Sequence, residues 1–191
     1  YYNLSRLYTS NSSYAYRMNH TYLTGGNDTF HGTNASDNLD SGAGNDVIYG
    51  NNGNDILKGQ SGVDSIFGGN GEDHIYGGSG KDILKGESGH DNIRGGTGND
   101  IIYGGDGNDV LSGQSDDDII IGGNGNDVIQ GGNGIDYANY SGKYTDYSFS
   151  RQGLTLKVID NRNSQYRWED TLYDIEMLWF SDQTIEESKV D

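Results

Sequence analysis

From Asp28 onward an aspartate recurs every nine residues without a slip in register: Asp28, Asp37, Asp46, Asp55, Asp64, Asp73, Asp82, Asp91, Asp100, Asp109, Asp118, Asp127 and Asp136. Two residues after each sits an apolar side chain, in order Phe30, Leu39, Ile48, Leu57, Ile66, Ile75, Leu84, Ile93, Ile102, Leu111, Ile120, Ile129 and Ala138. A fixed period of this kind specifies a repeat architecture, in which a unit buries its apolar residue only by stacking on its neighbours. An acidic glycine-rich linker would share the composition, with 32 Gly in 191 residues, but nothing would hold it in register.

The unit at Gly68 to Tyr76 reads Gly-Gly-Asn-Gly-Glu-Asp-His-Ile-Tyr, and the one at Gly122 to Gln130 reads Gly-Gly-Asn-Gly-Asn-Asp-Val-Ile-Gln. This pattern resembles the calcium-binding nonapeptide of RTX (repeats-in-toxin) proteins, over roughly residues 24 to 138. The resemblance implies an all-β fold, a parallel β-roll or right-handed β-helix-like solenoid. In it each six-residue turn half-wraps a Ca²⁺ and each remaining tripeptide forms a short strand.

The chemistry follows from the residue types as well. Ca²⁺ takes six to eight oxygens from carboxylates and carbonyls, and glycines reach the backbone conformations that turn successive carbonyls toward one point. The expected metal ligands are the thirteen aspartates together with the turn residues Gly44, Gly53, Gly68, Gly69, Gly71, Gly77, Gly78, Gly80, Gly95, Gly96, Gly98, Gly104, Gly105, Gly107, Gly122, Gly123 and Gly125. If two nonapeptides make one coil, turns eighteen residues apart stack and an ion between them draws on both. One aspartate column starts at Asp28 and the other at Asp37, which sets an upper bound of about eleven ions.

One buried side chain per nine ordered residues does not offset the entropy of ordering them, and a net charge of −17 opposes compaction. Metal binding is therefore expected to be coupled to folding. The same acidity argues against nucleic-acid partners and anionic membranes. There is no Cys to form a disulfide and no Pro to interrupt paired strands. No stretch has the apolar length of a membrane-spanning helix or the pattern of a signal peptide.

Residues 1–23 read as an irregular, Tyr-rich leader. The first repeats are imperfect: Leu23 replaces the first glycine, Thr24 and Thr33 the second, and Asn34 and Ala35 the usual turn residues, so ions beside Asp28 and Asp37 are doubtful. Further departures are Asn51, Gln60, Glu87 and Gln114 at the second-glycine position and Asp116 at the fourth. Glu87 and Asp116 are expected to face solvent in less well-formed turns. With the apolar residue inward, its flanking residues point out. That makes Tyr49, Phe67, Ile83, Ile101, Tyr103, Ile119 and Ile121 an apolar outer face, expected to be covered by a terminal segment.

After Ala138 the composition changes abruptly, and residues 139–185 read as an antiparallel β-rich cap, followed by a tail at 186–191. Tyr147, Phe149, Leu154, Leu156 and Val158 alternate around Gln152-Gly153 as in a hairpin. Ile175 to Asp182 resembles the segment that follows RTX repeats in proteins exported by type I secretion. Trp168, Leu172, Ile175, Leu178 and Phe180 are the candidate cap core, since a solenoid end must be covered.

No catalytic constellation emerges. His20, His31, His74 and His90 lack zinc-site or triad spacing, and the run Asp116, Asp117, Asp118 contains one residue in repeat register. The expected function is that of a non-catalytic Ca²⁺-binding module. The resemblance implies that such a module is secreted and extracellular or on the cell surface, folds outside the cell, and serves type I secretion and the stability of a larger protein such as an adhesin, toxin or hydrolase. An alternative is a polysaccharide-binding module of a secreted polysaccharide-modifying enzyme, using Tyr49, Tyr76 and Tyr103, with Tyr49, Phe67 and Tyr103 sharing one face as a site for a polysaccharide or protein ligand.

Overall fold

A computed structural model describes residues 25–162 and 167–190. The Tyr-rich leader lies outside the described residues. Two parallel sheets face each other. One contains β1 (Thr29–His31), β3 (Val47–Asn52), β5 (Ser65–Asn70), β7 (Ile83–Ser88), β9 (Ile101–Asp106), β11 (Ile119–Asn124) and β13 (Tyr137–Asn139) in that order. The other contains β2 (Asn38–Asp40), β4 (Ile56–Ser61), β6 (His74–Ser79), β8 (Asn92–Thr97), β10 (Val110–Ser115) and β12 (Val128–Asn133). The chain crosses from sheet to sheet at every repeat, so each strand pairs with the one eighteen residues away, as Ile48 does with Ile66 and Leu57 with Ile75.

This register puts the central residue of every tripeptide between the sheets. Ile48, Leu57, Ile66, Ile75, Leu84, Ile93, Ile102, Ile120 and Ala138 are wholly buried, and Leu111 and Ile129 nearly so. Alternation along the strand turns the neighbours of each outward. Phe30 and Leu39, in the first coil, are only partly buried against this column.

The segment after Asn139 is built differently. β14 (Tyr147–Gln152) and β15 (Thr155–Asp160) form the expected hairpin around Gly153, whose φ is +64°. Leu154, expected within the alternation, is instead the exposed tip of the turn at 91% accessibility. β15 pairs antiparallel with β16 (Glu169–Tyr173), and β17 (Met177–Trp179) pairs antiparallel with β18 (Thr184–Glu186). The cap also contains parallel pairing: β16 adds to β12 and β17 to β13, so the segment imitates one more coil before turning back. Leu172, Ile175, Leu178 and Phe180 are buried as expected. Trp168 is half-buried. Val190, in the segment read as a tail, packs into the core at 2% exposure.

The C-terminal segment does not cover the apolar outer face. Its strands extend the sheets at their ends, and Ile83 and Tyr103 remain 38% and 37% exposed. The face is stabilised by its own side chains. His31 stacks on Tyr49 at 4.8 Å, Tyr49 on Phe67 at 5.0 Å, and Lys85 lies over the rings of Phe67 and Tyr103.

Candidate metal centre

Each repeat turn carries its aspartate at the sixth position, where the chain re-enters a strand. The carboxylate is therefore inside the roll and aligned with those of the coils before and after it. From Asp46 to Asp136 every repeat aspartate is at most 2% exposed. One oxygen is used in the same way throughout: Oδ1 accepts the backbone N–H of the aspartate eighteen residues earlier, at 2.7–2.9 Å. The other oxygen, Oδ2, is buried with no partner in all eleven of Asp46, Asp55, Asp64, Asp73, Asp82, Asp91, Asp100, Asp109, Asp118, Asp127 and Asp136. A buried unpaired oxygen costs about 1–3 kcal/mol, and more when charged, so a column of them calls for a cation.

The surroundings of these oxygens are equally regular. A methyl group placed on Gly50 would lie 2.4 Å from Asp55 Oδ2 and 2.4 Å from the carbonyl oxygen of Gly68, one coil on. The same pairing recurs at Gly59 with Asp64 and Gly77, at Gly68 with Asp73 and Gly86, and at Gly104 with Asp109 and Gly122. The first-position glycine is thus the open wall of a cleft into which a carboxylate oxygen and the next coil's carbonyl both point, and any side chain there would fill it. At the fourth position glycine permits close stacking: a methyl on Gly71, whose φ is +137°, would lie 1.8 Å from the carbonyl oxygen of Gly53.

Among the described residues no group of three or more His, Cys, Asp or Glu side chains converges. The donor set is carboxylate plus backbone carbonyl, all hard oxygen, which fits Ca²⁺. Burial, partly opposed by the hydrogen bond from the preceding coil, pushes Asp55, Asp64, Asp127 and Asp136 up to about 6. The same causes push Asp91, Asp100 and Asp118 to about 7, with the stacked carboxylates raising them further. Without a cation these carboxyls resist ionisation more than free ones do.

Of the predicted positions, Gly68, Gly77, Gly95, Gly104 and Gly122 form first-position walls. Gly69, Gly78, Gly96, Gly105 and Gly123 take φ of 111–123° at the second position, and Gly44, Gly53, Gly71, Gly80, Gly98, Gly107 and Gly125 take 111–142° at the fourth. Gly50, Gly59, Gly86, Gly113 and Gly131 occupy the same first position and belong with them. Asp28 and Asp37 differ from the other aspartates in being only half-buried. Asp37 Oδ2 is already occupied, accepting the Thr33 backbone N–H at 2.6 Å and the Thr33 hydroxyl at 3.0 Å. Ser41 is an unforeseen departure: it replaces a first-position glycine, is buried, and donates its hydroxyl to the Gly59 carbonyl at 2.9 Å.

The turns with other residues at glycine positions are as well formed as the rest, contrary to expectation. Asn51, Gln60, Glu87, Gln114 and Asp116 adopt φ of 74–81°, the first four within strand pairings of full length. Glu87 and Asp116 are both exposed, and Asp116 Oδ2 accepts the Gly98 N–H at 2.8 Å at the surface. Asp117 accepts from Ile135 and Asp118 from Asp100, so the acidic run diverges to three separate partners. His90 Nδ1 accepts the Asn108 N–H, one rung of a ladder of fifth-position side chains that also includes Asn45 and Asn54. His20 lies outside the described residues. On the outer face, Tyr49 and Phe67 are packed ring against ring, which leaves edges rather than faces free for a sugar and gives the polysaccharide alternative no support.

Two residues of the cap join the ladder, and the nine-residue period did not reveal them. Asp170, 7% exposed, accepts the Asp127 N–H at 3.0 Å, and Glu176 Oε2 accepts that of Asp136 at 2.9 Å. Their inward partners Leu172 and Leu178 follow two residues later, as in a repeat. The only signal was Asp-x-Leu and Glu-x-Leu, six residues apart instead of nine.

No curated protein matches the chain. The family model for the RTX calcium-binding nonapeptide repeat matches at residues 22–57, 49–84, 58–93, 85–120 and 103–138. These overlapping matches span the roll and more than half of the sequence, and they coincide with the stacked turns whose buried carboxylates lack partners. The chain belongs to the family of RTX calcium-binding nonapeptide repeat proteins.

Proposed function

We propose that the roll folds on binding Ca²⁺ outside the cell and that this switch serves export and stability of a secreted protein. The supporting observation is the column of eleven buried, unpartnered Oδ2 atoms. All but Asp127 and Asp136 have a further repeat turn stacked on them, which leaves nine positions inside the roll. At seven of these, Asp55, Asp64, Asp73, Asp82, Asp91, Asp100 and Asp109, the residues holding the ion are the repeat aspartate and the first-position glycine of the following coil, through its carbonyl.

A bound Ca²⁺ supplies two positive charges against a chain carrying −17. Without it, the stacked carboxylates repel one another and stay unsatisfied, which favours an extended chain suited to passage through a secretion channel. Extracellular calcium modules bind at about 10⁻⁴–10⁻³ M, a range that keeps the chain unfolded at cytosolic calcium and folded outside. The same logic fits adhesins, toxins and secreted hydrolases alike.

The test is a far-UV circular dichroism titration of the chelator-treated chain with CaCl₂ and, separately, MgCl₂. A cooperative gain of β-signal with Ca²⁺ alone is expected, since Mg²⁺ demands near-ideal octahedral geometry and keeps its waters. A full β-spectrum in excess chelator at neutral pH would overturn the proposal.

A further inference from the structure

We propose that the C-terminal segment completes a calcium site of its own on the last turn of the roll, built from Asp136, the backbone carbonyl of Asp174 and Glu176. The inference rests on the calcium reading of the repeats and extends it to residues outside them.

Asp136 is fully buried and its Oδ2 has no partner, as in the roll, yet no repeat follows to supply the opposing carbonyl. The cap supplies it. A methyl group on Gly131 would lie 2.5 Å from Asp136 Oδ2 and 2.1 Å from the carbonyl oxygen of Asp174. Within the roll, the second oxygen in this position belongs to the first-position residue of the next coil, such as Gly68 at Gly50. Asp174 takes that place with a left-handed backbone, φ +48°, and its carbonyl also accepts the Gly132 N–H at 3.3 Å. Two residues on, Glu176 Oε2 accepts the Asp136 N–H, the bond that the next aspartate makes elsewhere. Its longer side chain reaches across the shortened turn to make that bond, although the residue is otherwise exposed.

The other column ends differently. Asp170 reproduces the hydrogen bond to Asp127, but at Gly122 everything within 3.3 Å of an added methyl belongs to Asp127 itself. The cleft there lacks an opposing carbonyl at the close range seen at Gly131. The proposed site therefore belongs to the Asp136 column alone, and it makes seating of β17 on β13 dependent on calcium.

Ion count and a cap-specific signal test this. Glu176→Gln keeps an amide oxygen to accept the Asp136 N–H but loses the charge. Native mass spectrometry at saturating calcium should show one fewer ion per chain than in the unmodified protein. Gly131→Ala, which places a methyl in the cleft, should lose the same ion. In the unmodified chain, Tb³⁺ emission excited through tryptophan is an independent readout. Both tryptophans, Trp168 and Trp179, lie in the cap, so emission is expected in the unmodified chain and should fall several-fold in Glu176→Gln. Unchanged ion counts in both variants, or no tryptophan-sensitised emission from the unmodified chain, would overturn the site while leaving calcium binding by the roll intact. An unmodified chain that takes up no calcium would remove the underlying reading as well.

Discussion

Beyond the first, each coil of the roll buries two aliphatic side chains and two carboxylates, whereas the cap buries a cluster of rings and leaves its ion pairs at the surface. Phe180 lies at the centre of that cluster, with ring centroids of Tyr140, Tyr144, Tyr147 and Phe149 at 5.4–6.0 Å. Arg151 with Glu187 and Arg162 with Asp160 are partly solvated pairs of the ordinary kind. The cap's interior is thus a conventional hydrophobic core, while the roll is a scaffold of matched hydrogen bonds around oxygens that nothing in the protein satisfies. Stability in one comes from packing, and in the other it depends on what occupies the carboxylate columns.

The most disruptive test of this contrast is pH in the absence of calcium. In the metal-free roll the aspartates hold their protons more tightly than in the unfolded chain, because burial raises them from 3.8 to about 6 or 7. Their contribution is therefore fully present below pH 4 and is lost as pH rises through 6 to 7. Ionising these buried carboxyls at neutral pH therefore weighs against the folded state. In excess chelator, acidification from pH 7.5 to 5 should restore β-signal, and circular dichroism should show it within that window. A signal independent of pH would mean that the columns are not what limits folding.

Removing the centre of the cap is the next largest effect. Phe180→Ala should cost about 3–5 kcal/mol in urea denaturation at saturating calcium, with the number of ions bound per folded chain unchanged. A drop in ion count would couple the ring cluster to the metal and blur the division between the two regions.

The roll itself contains a smaller version of the same contrast. Asp91→Asn should remove an ion, worth about 2.7 kcal/mol when calcium stands at 100 times its Kd. Asp37→Ala should leave the count unchanged and cost about 1 kcal/mol for the lost Thr33 hydrogen bonds. Native mass spectrometry separates the two, and equal ion losses would put Asp37 back among the ligands.

What the sequence conveyed was whatever repeats. Ile48, Leu57 and Ile66 could be placed inward and Tyr49 and Phe67 outward, because a period of nine with strand alternation leaves one arrangement that buries the apolar column. The taken oxygen of Asp37 was foreshadowed by Thr33 at a glycine position. Asp170 and Glu176 were hidden because their spacing breaks the period, and only the strand pairing of β16 with β12 and β17 with β13 brings them into line. Ser41 was hidden because a hydroxyl tolerated in a cleft wall leaves no trace in spacing. Leu154 misled through pattern alone: apolar alternation does not reveal that Gly153 turns the chain one residue early.

The mildest test concerns the turns that depart from glycine. Glu87 sits at φ +77° between Gly69 and Gly105, at +112° and +120°, in one column of the sheet. A left-handed backbone costs a non-glycine residue about 1–2 kcal/mol, and replacing it by glycine returns about 0.4–1 kcal/mol of freedom to the unfolded chain. Glu87→Gly should therefore stabilise the roll by under about 1 kcal/mol in urea at saturating calcium. The ion count should not change, since Glu87 is exposed and the nine-spaced aspartates carry the unpartnered oxygens. If the variant binds one ion fewer, the carboxylate of Glu87 is a ligand, and departures from the glycine pattern tune the metal sites as well as strain the turns.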